Sequence, residues 1–142
     1  MTKRSAIPFV ALMAVVVLGL TNCSNANQSP VLVVNNQKLG YGKVFVTQVV
    51  SPEAGFVVVH QPDDKGQPNV MSSLGYVAVR KGAASMVAIK LDPSVKPGTK
   101  LFVVLHADTG KIGKYEHGPA TVEIDAPVIV DGKQIAAAFT VE

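Results

Sequence analysis

The sequence predicts an all-β fold, an Ig-like antiparallel β-sandwich of about seven or eight strands that runs from residue 31 to residue 142. Short runs of β-branched residues recur between Gly, Pro, Asn and Asp residues. No apolar stripe at helical spacing exceeds about two turns. The segment of about 110 residues suits one domain with one core. These observations together favour a sandwich over a helical or mixed fold.

Eight segments have the composition of strands. They are 31–35, 43–50, 56–60, 75–79, 85–91, 101–106, 121–125 and 134–141.

Strict alternation, as in 85–91, predicts a half-buried strand. The runs 56–59 and 102–105 are instead apolar at every position, which predicts central strands covered on both faces. We therefore expect Phe56, Val58, Phe102 and Val104 in the core. Asp131-Gly132 predicts a hairpin reversal.

The N-terminal segment has the layout of a secretory signal. Lys3 and Arg4 precede an uncharged apolar stretch over 6–20, which is shorter than the roughly 20 residues of a spanning helix. We expect a signal peptide over 1–22, a flexible polar tether over 23–30 and the sandwich domain over 31–142. The protein is thus predicted to be exported to the periplasm or the cell exterior.

Cys23 is the single cysteine of the chain, so an internal disulfide is excluded. The stretch Leu20-Thr21-Asn22-Cys23 resembles a bacterial lipobox, in which the cysteine is acylated and becomes the new N-terminus. Asn22 stands where Gly, Ala or Ser is usual. The resemblance implies a membrane-anchored lipoprotein, and the alternative is ordinary cleavage after Ala26, which would remove Cys23.

The charge of the processed chain argues against nucleic acid as a partner. Removal of Lys3 and Arg4 leaves 11 basic against 10 acidic residues, and no run of Lys or Arg reaches three. Aromatic residues are few. This composition lacks the basic footprint that nucleic-acid binding requires.

Two apolar runs end on histidine, in GFVVVH at 55–60 and in LFVVLH at 101–106. One interpretation is structural: His60 and His106 occupy corresponding strand ends and cover apolar neighbours. The other is a copper or zinc site, because cross-strand β-carbons in neighbouring strands lie about 5 Å apart. Further ligands for such a site would come from a small set of residues, namely His117, Asp108, Glu116 and Met71.

Known catalytic signatures are missing from the sequence. It contains no G-x-S-x-G elbow, no P-loop and no H-E-x-x-H motif. We therefore expect a protein that is not an enzyme and has no catalytic residues.

Three stretches resemble an uncharacterised family of extracytoplasmic β-sandwich domains found in halophilic archaeal surface proteins and in bacterial lipoproteins. They are VFVTQVVSPEAGFVVVH, LDPSVKPGTKLFVVLHADTGKIGKYEHG and DAPVIVDGKQIAAAFTV, and the most specific pieces are the paired GFVVVH and LHxDT motifs. The resemblance implies an Ig-like fold, a surface location and no established activity. The leading expectation is a non-catalytic, lipid-anchored envelope module for interaction or structure, with an unknown protein or envelope partner. The alternative is a metal-binding lipoprotein that uses His60 and His106.

Overall fold

The computed structural model describes residues 28–142. The predicted signal peptide and the predicted lipidation site at Cys23 lie outside the described residues. Within 28–142 the regular elements are all strands, which confirms the all-β prediction. None of the described segments forms a helix long and apolar enough to cross a membrane.

Nine strands follow one another along the described chain. They are β1 (Val31–Val34), β2 (Lys43–Ser51), β3 (Gly55–His60), β4 (Gly75–Val79), β5 (Gly82–Lys90), β6 (Lys100–Ala107), β7 (Ile129–Val130), β8 (Lys133–Gln134) and β9 (Ala136–Thr140).

The strands form two antiparallel sheets and one small hairpin. The first sheet has the order β1-β2-β5 and the second the order β4-β3-β6-β9, while β7 and β8 pair with each other. Strands β3 and β6 are the two central strands of the second sheet, as their uninterrupted apolar runs predicted. Asp131 and Gly132 reverse the chain between β7 and β8 with positive φ values of 50° and 74°, so the predicted hairpin turn is confirmed.

The main core lies between the two sheets. Val44, Val46 and Ile89 of the first sheet are fully buried against Val57, Leu101 and other residues of the second. Because side chains alternate along a strand, the opposite face of β3 carries Phe56, Val58 and His60. This opposite face is called the outer face below.

The outer face is buried as well, by two long connections instead of by a sheet. Phe56 is fully buried, and its ring meets the rings of Tyr76 and Tyr115 edge-on at centroid distances of 6.0 and 5.5 Å. Tyr115 belongs to the connection between β6 and β7. The segment 61–74 forms the second cover, since Ser72 contacts His60.

Two sequence predictions were wrong. The segment 121–125, predicted as a strand, consists of turns, because Asp125 has the left-handed φ of 46°, which a strand does not accommodate. Phe102, predicted in the core, is only half-buried and has the Lys100 ammonium 5.3 Å from its ring centroid.

Gly55 is required by the close approach of β3 and β6. A β-carbon at this position would overlap the backbone carbonyl oxygen of His106. Only glycine therefore lets β3 begin at this distance from the end of β6.

Candidate metal centre

His60 and His106 lie on the outer face of neighbouring antiparallel strands, but they are not opposite each other. In the register of the ladder His60 pairs with Phe102 and His106 pairs with Phe56, so the two histidines are four residues apart along the strands. The expectation of corresponding strand ends, with β-carbons about 5 Å apart, is therefore wrong. Both motifs end on histidine, and because β3 and β6 run in opposite directions the two histidines lie toward opposite ends of the ladder.

The two side chains nevertheless meet, because each leans toward the middle of the ladder. Their ring centroids are 5.3 Å apart and Nε2 of His60 lies 3.2 Å from Nε2 of His106. Both residues are fully buried. The paired Nε2 atoms thus face each other beneath the two covering connections.

Backbone carbonyl groups determine the tautomer of both rings. Nδ1 of His60 lies 2.8 Å from the Ser72 carbonyl oxygen, and Nδ1 of His106 lies 2.7 Å from that of Asp125. A carbonyl oxygen only accepts hydrogen bonds, so each Nδ1 carries the proton and donates it. In a neutral ring Nε2 then presents its lone pair. Two neutral rings consequently direct two lone pairs at each other across 3.2 Å.

A proton shared between the two Nε2 atoms would remove the repulsion between their lone pairs, but burial of the rings disfavours a protonated imidazole. Burial lowers the pKa of His106 to about 3, outweighing the opposite effect of the hydrogen bond to Asp125. Burial also lowers the pKa of His60, against the effects of the Ser72 and Asn69 carbonyl groups. Both rings are therefore neutral at pH 7, and their lone pairs are available to a cation that forms coordinate bonds.

His117 is brought to the same place by the connection between β6 and β7. Its ring centroid is 5.2 Å from that of His106, and its Nδ1 lies 2.9 Å from the Ile124 carbonyl oxygen. Its Nε2 is buried and has no hydrogen-bond partner. All three histidines of the chain thus have Nδ1 on a backbone carbonyl group and a buried Nε2.

Tyr115 closes the cluster beside His106. The two ring centroids are 5.3 Å apart, in an edge-on arrangement. The Tyr115 hydroxyl is also buried without a partner, and burial raises its pKa. It therefore stays protonated at physiological pH.

Asp125 organises the connection that carries His117. Its carboxylate accepts hydrogen bonds from the backbone N–H groups of Thr109, Gly110 and Glu116 at 2.8 to 3.0 Å. Burial raises the pKa of this carboxyl group, but the three N–H donors outweigh burial and the net shift is downward. Asp125 is thus a buried, ionised residue whose backbone carbonyl oxygen accepts from Nδ1 of His106.

The other three candidate ligands have different surroundings. Asp108 accepts from the Gly113 N–H with one oxygen, and its second oxygen is buried without a partner. Glu116 accepts from the Lys111 N–H and forms an ion pair with Lys114, while Met71 is exposed. In this conformation of residues 28–142, no three His, Cys, Asp or Glu side chains surround a common metal position. The histidine pair is the preformed part of the site.

Sequence reasoning found the three histidines but not Asp125, which it placed at the end of a strand. A signal was available in the EIDAP stretch, where an acidic residue stands between Ile124 and Ala126. An acidic residue with apolar neighbours on both sides is typical of a buried carboxylate that accepts backbone hydrogen bonds.

The fold and the site define a small β-sandwich domain with a buried histidine cluster on the outer face of its four-stranded sheet. The chain belongs to the family described as a domain of unknown function (DUF7282), whose model matches residues 30–142. Comparison with curated proteins and with solved structures gave no match.

Proposed function

We propose that this protein binds one transition-metal ion, copper or zinc, between Nε2 of His60 and Nε2 of His106. The observation that carries the proposal is the pair of opposed Nε2 atoms at 3.2 Å, each in a ring whose Nδ1 donates to a backbone carbonyl group. Metal-ligating histidines almost always donate their other ring N–H in this way.

The spacing of the two nitrogen atoms supports an ion as the group that they share. Zinc–nitrogen bonds of about 2.0 to 2.1 Å at a tetrahedral angle place two ligand nitrogens about 3.3 to 3.4 Å apart. The separation of 3.2 Å between the two Nε2 atoms requires little adjustment of either side chain. Imidazole nitrogen is a suitable ligand for zinc and for copper.

We propose that this site belongs to an exported, lipid-anchored protein without catalytic activity. Support for export and for an anchor at Cys23 comes from the sequence, namely the charged n-region, the short apolar stretch and the single cysteine. The sandwich would serve as an envelope module that holds the ion away from solvent. An interaction with another envelope protein is part of the same proposal.

The test is metal binding by the purified full-length protein in detergent, before and after substitution of both histidines. We expect the parent to bind one copper or zinc ion in native mass spectrometry and in calorimetric titration. We expect the double variant His60→Gln/His106→Gln to lose this ion while retaining its β-sheet circular dichroism spectrum.

Val57→Ala is the matched control. Val57 is fully buried in the same strand as His60, but its side chain lies in the core between the sheets. This variant should lose stability and keep its metal. If the parent takes up no ion, or if the double variant binds as tightly as the parent, the proposed function is wrong.

A further inference from the structure

We infer that the end of the outer face around Phe102 is a second binding site, and that its ligand is an uncharged saccharide. Phe56 and Phe102 have the same place in the two runs GFVVVH and LFVVLH, but only Phe56 is fully buried. The Phe102 ring stays accessible because a groove lies over it. None of the residues that line this groove is a histidine, so the site is separate from the proposed metal centre.

The groove has the size of a small-molecule site. Its volume is about 620 Å³, and ligand pockets typically have volumes of about 300 to 1,000 Å³. Its floor consists of Phe102 on β6 and of Ala136 and Ala138 on β9. Ala138 is directly opposite Phe102 in the β6–β9 ladder. Because the two alanine side chains are small, the floor is low beside the aromatic ring and is apolar throughout.

Two tight turns form the walls of the groove. One belongs to the segment 61–74, where the Asp63 N–H donates to the Gln67 carbonyl oxygen at 2.7 Å and Asp63 Oδ1 accepts from the Gln67 N–H at 2.9 Å. The other is the β7–β8 hairpin, which contributes Lys133 and Gln134. Hydrogen bonds within each turn hold both walls in place, so little ordering of the chain is needed when a ligand binds.

The polar groups of the walls favour an uncharged ligand. Asp63 contributes one negative charge and Lys133 one positive charge, so the net charge of the lining is zero. Neither residue belongs to the two ion pairs within residues 28–142. The side-chain amides of Gln67 and Gln134 also line the groove, and each offers donors and an acceptor. This set of groups serves hydroxyl groups well, since a hydroxyl both donates and accepts, but it gives no net attraction to an anion or a cation.

A saccharide has the matching distribution of apolar and polar groups. A sugar ring carries C–H groups on its faces and hydroxyl groups around its edge. The C–H groups would lie against the Phe102 ring, while the hydroxyl groups would reach the amides and charged groups of the walls. The Lys100 ammonium, 5.3 Å from the centroid of the same ring, is not part of the lining and leaves the groove side of the ring open.

The experiment is an NMR titration of the isotope-labelled full-length protein in a detergent without a sugar headgroup. The probes are four uncharged trisaccharides, namely maltotriose, cellotriose, mannotriose and chitotriose. We expect at least one of them to bind with a dissociation constant in the millimolar range or below. The backbone amide signals of residues 63–67, 102 and 132–138 should then shift and reach saturation.

Two variants alter the floor of the groove. Ala138→Leu should weaken binding by at least about tenfold, because leucine would fill the space beside Phe102. Ala138 is exposed, so this variant should keep its fold. Phe102→Ala should weaken binding by about tenfold through loss of the aromatic surface. Ala88→Leu is the matched control, because it makes the same substitution at an exposed position of β5, in the other sheet, and should leave binding unchanged.

The results separate this inference from the proposed function. The variant His60→Gln/His106→Gln should bind the same saccharide as tightly as the parent, whatever its affinity for metal. Absence of saturable shifts with all four saccharides, or equal binding by the parent and Ala138→Leu, would overturn the inference. Tighter binding of the charged trisaccharide trigalacturonate would overturn the assignment of an uncharged ligand. Shifts of the same signals by trialanine alone would make the groove a peptide site and overturn the saccharide.

Discussion

Acidification of the metal-free protein should destabilise its fold, because the neutral histidine pair must become charged when the chain unfolds. The pKa of His106 is about 3 in the folded protein, while an unperturbed histidine has a pKa of about 6.5. Between these two values the unfolded chain binds more protons than the folded chain. The free energy of unfolding therefore falls as the pH falls through this window, and this contribution is fully present above about pH 6.5.

The magnitude follows from the two pKa values. From pH 8 to pH 5, His106 alone should reduce the free energy of unfolding by about 2 kcal/mol, at about 1.4 kcal/mol per pH unit in the lower part of the range. His60 changes it in the same direction, since burial also lowers its pKa. The total loss therefore exceeds the loss from one histidine.

Urea denaturation of the metal-free protein, followed by circular dichroism at several pH values, measures this effect. The variant His106→Gln should show a smaller decrease of stability with acidification, whereas Val57→Ala should shift the whole profile down without changing its slope. If the two rings instead share a proton, their folded pKa is raised, and the parent would gain stability on acidification through pH 6.5. That result would refute the neutral pair.

Three further predictions concern packing and anchoring. Phe56→Ala should reduce the free energy of unfolding by about 3 to 5 kcal/mol, and Phe102→Ala, at a half-buried position, by clearly less; equal losses in urea titrations would contradict the burial difference. Gly55→Ala should reduce the free energy of unfolding by about 1 to 3 kcal/mol, because the β-carbon of alanine would overlap the His106 carbonyl oxygen. An unchanged thermal midpoint would show that β3 and β6 can move apart at no cost. Cys23→Ala should abolish incorporation of labelled palmitate into the protein, and continued labelling would exclude Cys23 as the acylated residue.

The strands were predictable where local composition determines them. The Val-rich runs of β3 and β6 are apolar at every position, and the structure buries both faces of these strands almost completely. The segment 121–125 was predicted as a strand because its β-branched residues alternate with polar ones. Its backbone is instead determined by hydrogen bonds to the Asp125 carboxylate from residues up to 16 positions away.

The site was predictable in its residues but not in its geometry. The repeated motif identified His60 and His106. The register of their two strands could not be read from the sequence, because the histidines are 46 residues apart along the chain. The approach of the rings depends on this register and on side chains that lean along the strands. The tautomers depend on the carbonyl groups of Ser72 and Asp125, which are distant in the sequence and carry no residue-specific signal.

The position of the histidines on the outer face determines how fast an ion could enter or leave. Both rings are covered by connections and not by the opposing sheet, so exchange requires displacement of the segments 61–74 and 108–128 while the β3–β6 ladder stays intact. The rate of uptake should then become independent of metal concentration at high concentration, since opening of the connections is the slow step. Release would require the same opening and could be no faster than it, a kinetic behaviour suited to storage of an ion and unsuited to its rapid relay between partners.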